Sequence, residues 1–127
     1  MKIDTSPTPS PIGSSNFESI FYATHNEIPD EIDVIGTSLK GYVNATYEQL
    51  VDAFGEPMQG TDKTDFEWHV LFAEYGECTI YNWKNGPNYL GDDSIDVKAM
   101  TEWNIGGRSK MVKDGVSIAT NCEVISK

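Results

Sequence analysis

Zinc-ligand spacing, a secretory disulfide framework and membrane-length apolar runs are all missing from this sequence. Its two cysteines, Cys78 and Cys122, stand far apart with no CxxC spacing, and only two histidines accompany them, so no zinc pattern can be assembled. Both thiols read as buried and free. No apolar run approaches the ~20 residues of a membrane span, and the N-terminus lacks the apolar stretch of a signal peptide. A cytoplasmic location is the expectation. Positive charge is scarce as well: nine Lys/Arg, with Arg108 the only arginine, stand against 20 Asp/Glu, for a net charge of −11. A field of that sign repels phosphate backbones and anionic lipid, so neither direct nucleic-acid binding nor a membrane partner is expected. The acidity itself has two readings, solubility or mimicry of nucleic acid toward a basic protein surface.

Catalytic patterns are equally sparse. His25 and His69 sit in no HxxxH or HExxH motif, and no serine stands in a nucleophile elbow. His69 reads as a sheet-face residue with a hydrogen bond, and nothing near either cysteine in sequence would lower a thiol pKa. Asp92 and Asp93 read as a solvated acidic pair. No cofactor, no metal and no enzymatic activity are therefore expected.

What is present is one domain's worth of chain, 127 residues. Residues 1–16, with Pro7, Pro9 and Pro11 among serines and threonines, read as a disordered leader. Residues 17–36 form an acidic arm that packs loosely on the domain or on a partner, with FESIFYAT open to strand or helical turn. Residues 37–127 make a single α+β domain. Within it, 39–43 is a short strand, and Thr46 opens a helix with Gln49 at capping-box spacing. Tyr47, Leu50, Val51 and Phe54 form its apolar stripe, and Gly55 and Pro57 end it.

Aromatic residues concentrate in 65–91, where the packing must be settled. Phe66, Trp68, Val70 and Phe72 alternate with Glu67, His69 and Leu71, the period of a strand with one buried face. A break at 74–77 holding Gly76 predicts a hairpin to a strand at 78–84, which has large side chains on both faces. A further strand spans 101–105, and Gly106-Gly107 breaks it. Ser109 then caps a closing helix with Met111, Val112, Gly115, Val116 and Ala119 on one face, with GVSIAT as a terminal strand the alternative. This order predicts a small antiparallel sheet of three to five strands with two helices on one face. A loop, the N-terminal arm or a second copy of the chain, as a homo-oligomer, must cover the other face.

NATYEQLVDAFGEP (44–57), EWHVLF (67–72), TIYNWKNGPNYLG (79–91) and MTEWNIGGRSK (100–110) together resemble a family of small bacteriophage and prophage proteins. The resemblance covers residues 38–112 and implies provenance rather than activity. It points to a viral accessory protein in the host cytoplasm, of a kind that often acts against host defence. The first 36 residues and the tail after Lys113 depart from the pattern. At the level of fold, a capped helix ending in FGxP before an antiparallel sheet is similar to the repeat of β-lactamase inhibitor protein and of small outer-membrane assembly lipoproteins, both binding modules.

One constellation has the chemistry of a ligand site. The Gly-Gly pair before a helix, flanked by Arg108 and Lys110, offers backbone N–H groups to an anion. Trp103 lies on the strand leading into it. Tyr81, Trp83, Lys84, Asn88 and Tyr89 would add stacking surfaces, amides and charge if they converge with Arg108. The competing reading makes the aromatics core, 85–88 a turn and Arg108 a salt-bridge partner. Two functions follow: an acidic inhibitor that binds a host protein, or a sponge for a small nucleotide signal.

Overall fold

One antiparallel sheet carries the fold, and strand alternation decides what lies on each side. The computed structural model describes residues 2–3, 20–94 and 96–127. Its strands are β1 (Lys2–Ile3), β2 (Phe21–Thr24), β3 (Ser38–Asn44), β4 (Met58–Gln59), β5 (Phe66–Phe72), β6 (Gly76–Tyr81), β7 (Glu102–Gly107) and β8 (Val124–Ser126). Seven run in the order β1-β2-β5-β6-β7-β3-β8, and the two-residue β4 pairs with β5 beyond the end of β2. Three helices, α1 (Tyr47–Phe54), the single turn α2 (Pro87–Leu90) and α3 (Val112–Thr120), complete the α+β architecture.

The helix α1 forms where its signals lie. Thr46 accepts from the Gln49 N–H at 3.1 Å while the Gln49 side chain accepts from the Thr46 N–H at 2.8 Å. Gly55, at φ +84°, closes the helix in a conformation glycine adopts freely. Leu50, Ala53 and Phe54 are buried against the sheet. Facing them are Trp68, Val70 and Phe72 of β5, Cys78 and Ile80 of β6, Trp103 and Ile105 of β7 and Val43 of β3, which form one core. Trp68 and Trp103 meet edge to face at 5.4 Å. Gly115 lets α3 approach this core, because a Cβ there would lie 3.0 Å from the Phe72 ring.

Three expectations need correction. The sheet exceeds three to five strands and the helices exceed two, because β2, β4, β8 and α2 are too short to show a period in sequence. The segment 17–36 is not a loose arm throughout. Phe21–Thr24 is inserted between β1 and β5, and Ile20 and Tyr22 enter the core, where the Tyr22 hydroxyl donates to Ala53 O at 2.7 Å. Gly106 and Gly107, read as a strand-breaking turn, are the last two residues of β7 and pair with both neighbouring strands.

At the C-terminus the helix reading of GVSIAT holds and its strand alternative does not; a short strand follows on later residues. GVSIAT is helix, Asn121 turns the chain at φ +57°, and Val124–Ser126 then returns as a strand beside β3. Met111 is exposed rather than on the buried helix face. The leader expected over 1–16 lies outside the described residues, apart from Lys2–Ile3, which pair with Tyr22 and Phe21.

The helices leave the other sheet face to loops. Glu67, Tyr81, Asn104 and Tyr42 form a cross-strand row on it, with His69, Thr79 and Gly106 forming the next row.

Candidate functional site

Four residues of those two rows are the floor of a pocket of about 280 Å³. Glu67, Thr79, Tyr81 and Gly106 line its base, Thr61 and Thr64 one wall, Val34, Thr37 and Ser38 the other, and Trp83 its mouth. Gly106 keeps the floor low, since a Cβ there would fall 2.5 Å from Thr79 Oγ1. The lining is thus hydroxyls, two aromatic rings, the Val34 side chain and one carboxylate. Among the described residues no lysine or arginine is part of it.

Glu67 is held at both oxygens. His69 Nε2 lies 3.3 Å from Oε1, and Thr64 donates to Oε2 at 2.7 Å. The bond from His69 and that from Thr64 hold its carboxyl below the usual range against the opposing effect of partial burial. It is therefore ionised at neutral pH. Tyr81 is pushed the other way by burial, with the Asn104 hydrogen bond opposing, and stays protonated.

A polar knot fixes the loops around the mouth. Asn82, fully buried on β6's continuation, accepts from the Asp65 N–H at 2.7 Å and the Phe66 N–H at 3.3 Å, and donates to Asp65 Oδ2 at 2.7 Å. Asp65 Oδ1 accepts from the Asn88 N–H at 2.9 Å, and Asn88 Nδ2 donates to Thr61 O and Thr64 O, both at 3.0 Å. Lys84, at φ +59°, donates its N–H to Lys63 O at 2.7 Å. Loops 61–66 and 82–88 are thereby one unit.

This unit presents Trp83, Tyr89 and Leu90, which are 47%, 49% and 41% exposed. The Trp83 ring stands edge-on to Tyr81 at 6.3 Å. Lys84 Nζ lies 5.7 Å from the Trp83 ring and 5.4 Å from that of Tyr89, and Lys63 Nζ lies 5.8 Å from Trp83.

Of the residues singled out in sequence, the structure brings together Tyr81, Trp83, Lys84, Asn88 and Tyr89. It separates the other three from them. Trp103 is in the core. Lys110 is exposed in the turn before α3. Arg108 follows Gly107, which pairs with Cys78, so it lies beside Glu77, six residues along the chain from Trp83 and about 20 Å away at strand rise. There it contacts Glu77 Oε1 at 2.7 Å and donates to Asp33 O at 3.1 Å and to Ile35 O. Arg108 is a clamp on residues 33–35, next to the Val34 wall.

Arg108→Ala is accordingly expected to loosen that wall and spare the core. Hydrogen exchange at the Thr37 amide, which bonds to Val34 O, should accelerate by an order of magnitude or more, with a global stability loss below ~1 kcal/mol.

Glu67, Thr64, Thr79, Thr37 and Ser38 were not recognised as site residues in sequence. For Glu67 a signal existed: counting back in equal steps from the hairpin turn sets it opposite Tyr81. Thr37 and Ser38 had none, because the arm's path depends on contacts distant in sequence.

Cys78 is sealed in the sheet, its thiol pKa pushed up by burial, and Cys122 is half-buried; both are free. Asp92 and Asp93 are exposed, and among the described residues no group of three or more His, Cys, Asp or Glu is placed to hold a metal ion. No helix among the described residues is long and apolar enough to cross a membrane. No protein-family model, no curated protein and no solved structure matches this chain.

Proposed function

We propose that this chain is a non-enzymatic binding protein that occupies a basic surface of another protein, as a phage-type accessory protein directed against a host defence factor would. The observation that carries this reading is the sign of the pocket. Among the described residues its one charged lining group is the Glu67 carboxylate, it opens beside an exposed aromatic cluster, and it sits in a chain of net charge −11. Exposed Asp30, Glu31 and Asp33 precede the Val34 wall and extend the acidic surface. Such a surface steers basic partners and repels acidic ones. The aromatic residues Trp83 and Tyr89 supply the large, partly apolar contacts that dominate protein interfaces.

Catalysis has less to stand on. A carboxylate held below its usual range is a weak proton acceptor, and the Thr64 hydroxyl is directed at Glu67 rather than at a histidine base. A nucleotide sponge is the second reading, favoured by Lys63 and Lys84 beside the Trp83 and Tyr89 rings. Against it, the pocket of about 280 Å³ falls just below the range for small-molecule sites, ~300–1,000 Å³, and its carboxylate would face the phosphates.

The test has two arms. Immobilised protein should retain a host protein at low salt and release it at high salt. Cyclic dinucleotides, cyclic trinucleotides and ADP-ribose derivatives should leave the melting temperature unchanged. A nucleotide that raises the melting temperature would make the sponge the better reading.

A further inference from the structure

The pocket's chemistry specifies more than a basic partner. Glu67 is ionised, yet its ion-pair partner among the described residues is His69, which carries charge only when protonated. Lys63 and Lys84 stand near the Trp83 ring, outside the lining, and no ion pair joins them to Glu67. Covering a partly buried carboxylate with a neutral group would remove water without supplying a counter-charge, which costs several kcal/mol. A cation with several donors offsets that cost.

Resting on the binding-protein reading, we infer that this pocket is the seat of one arginine side chain from the protein partner, with Glu67 as its counter-ion and Tyr81 and Trp83 as its aromatic wall. Each Glu67 oxygen already accepts one hydrogen bond, from His69 or from Thr64, and a carboxylate oxygen has room for a second. Two parallel acceptors of that kind match the planar fork of a guanidinium. Thr37 and Thr61 hydroxyls on the walls can accept its remaining N–H groups, whereas Ser38 Oγ already accepts from Lys40 Nζ at 2.9 Å. A guanidinium also stacks flat on an indole, which a lysine ammonium does not, so arginine uses both halves of the site. The volume of about 280 Å³ suits one side chain and not a dinucleotide.

The experiment is an amide and indole NMR titration of the whole protein with N-acetyl-L-arginine methylamide, repeated with the isosteric, uncharged N-acetyl-L-citrulline methylamide. Saturable shifts confined to Thr79, Gly106 and the Trp83 indole are expected with arginine, with no saturation by citrulline. Glu67→Gln should weaken the arginine complex roughly tenfold or more, the loss of a charge-assisted pair. Trp83→Ala, at an exposed position, should weaken it without touching the fold. Equal binding of citrulline, or shifts spread over exposed acids and unchanged in Glu67→Gln, would overturn the inference.

The same variants separate this inference from the reading beneath it. If the arginine compound fails to bind while host-protein capture still depends on Trp83, the arginine seat alone is wrong. If capture is absent as well, both fall.

Discussion

Asn82→Ala is expected to destabilise the fold by about 3 kcal/mol, since it leaves two backbone N–H groups and a carboxylate oxygen without their partner. Asn82 is 1% exposed and bonds to the N–H groups of Asp65 and Phe66 and to Asp65 Oδ2. Asp65 is itself 8% exposed, so water reaches the vacated partners poorly. A drop in melting temperature on the order of 10 °C follows for a domain of this size. The companion variant Asn85→Ala removes a single acceptor at the exposed end of the same knot, so it should cost under ~1 kcal/mol. Urea melts of both variants decide the matter. An Asn82→Ala protein within ~0.5 kcal/mol of wild type would mean that the two loops are not held by this knot.

The second large effect concerns two tryptophans that are both 0% exposed and in contact. Trp68 Nε1 donates to Gly55 O at 2.8 Å, fastening β5 to the end of α1. Trp103 Nε1 is buried with no hydrogen-bond partner among the described residues. Replacement by phenylalanine removes similar volume at each site, so the cavity cost is comparable. The hydrogen-bond contribution differs in sign. At Trp68 it strands the Gly55 carbonyl, whereas at Trp103 it deletes an unsatisfied donor. Trp68→Phe should therefore cost about 1–3 kcal/mol more than Trp103→Phe in matched denaturant melts. Equal losses would show that the Trp68 bond contributes nothing to stability.

Local signals explain which parts of the fold were legible. The α1 helix has a capping box, an apolar stripe and a glycine stop within 46–55, all of which act over a few residues. The β5–β6 hairpin is set by alternation and the positive-φ Gly76. By contrast, Phe21–Thr24 shows four residues of pattern, too few to tell strand from helical turn. Only its pairing with β5, about 50 residues on, makes it an inner strand. The terminal strand Val124–Ser126 needed β3 in the same way.

The site was half legible for a related reason. Tyr81, Trp83, Lys84, Asn88 and Tyr89 are close in sequence and remain close in space. Arg108 joins a different neighbourhood because antiparallel pairing of β6 with β7 carries it to the far end of β6. Its charge, the natural candidate for an anion site, is spent on Glu77 and the carbonyls of 33–35. Glu67 is the converse case. Alternation puts it on the sheet face away from the core, and the loops 61–64 and 34–38, remote in sequence from each other, wall it in.

Fluorine NMR of the 5-fluorotryptophan-labelled protein, titrated with a basic protein retained on the immobilised chain, tests the proposed binding face most directly. The three tryptophans report three places: Trp68 and Trp103 are 0% exposed and Trp83 is 47% exposed at the pocket mouth. The expected result is a saturable shift of the Trp83 resonance, assigned by Trp83→Phe, with the other two unmoved. A partner that saturates the protein and leaves the Trp83 resonance in place would contradict the assignment of this face as the binding surface.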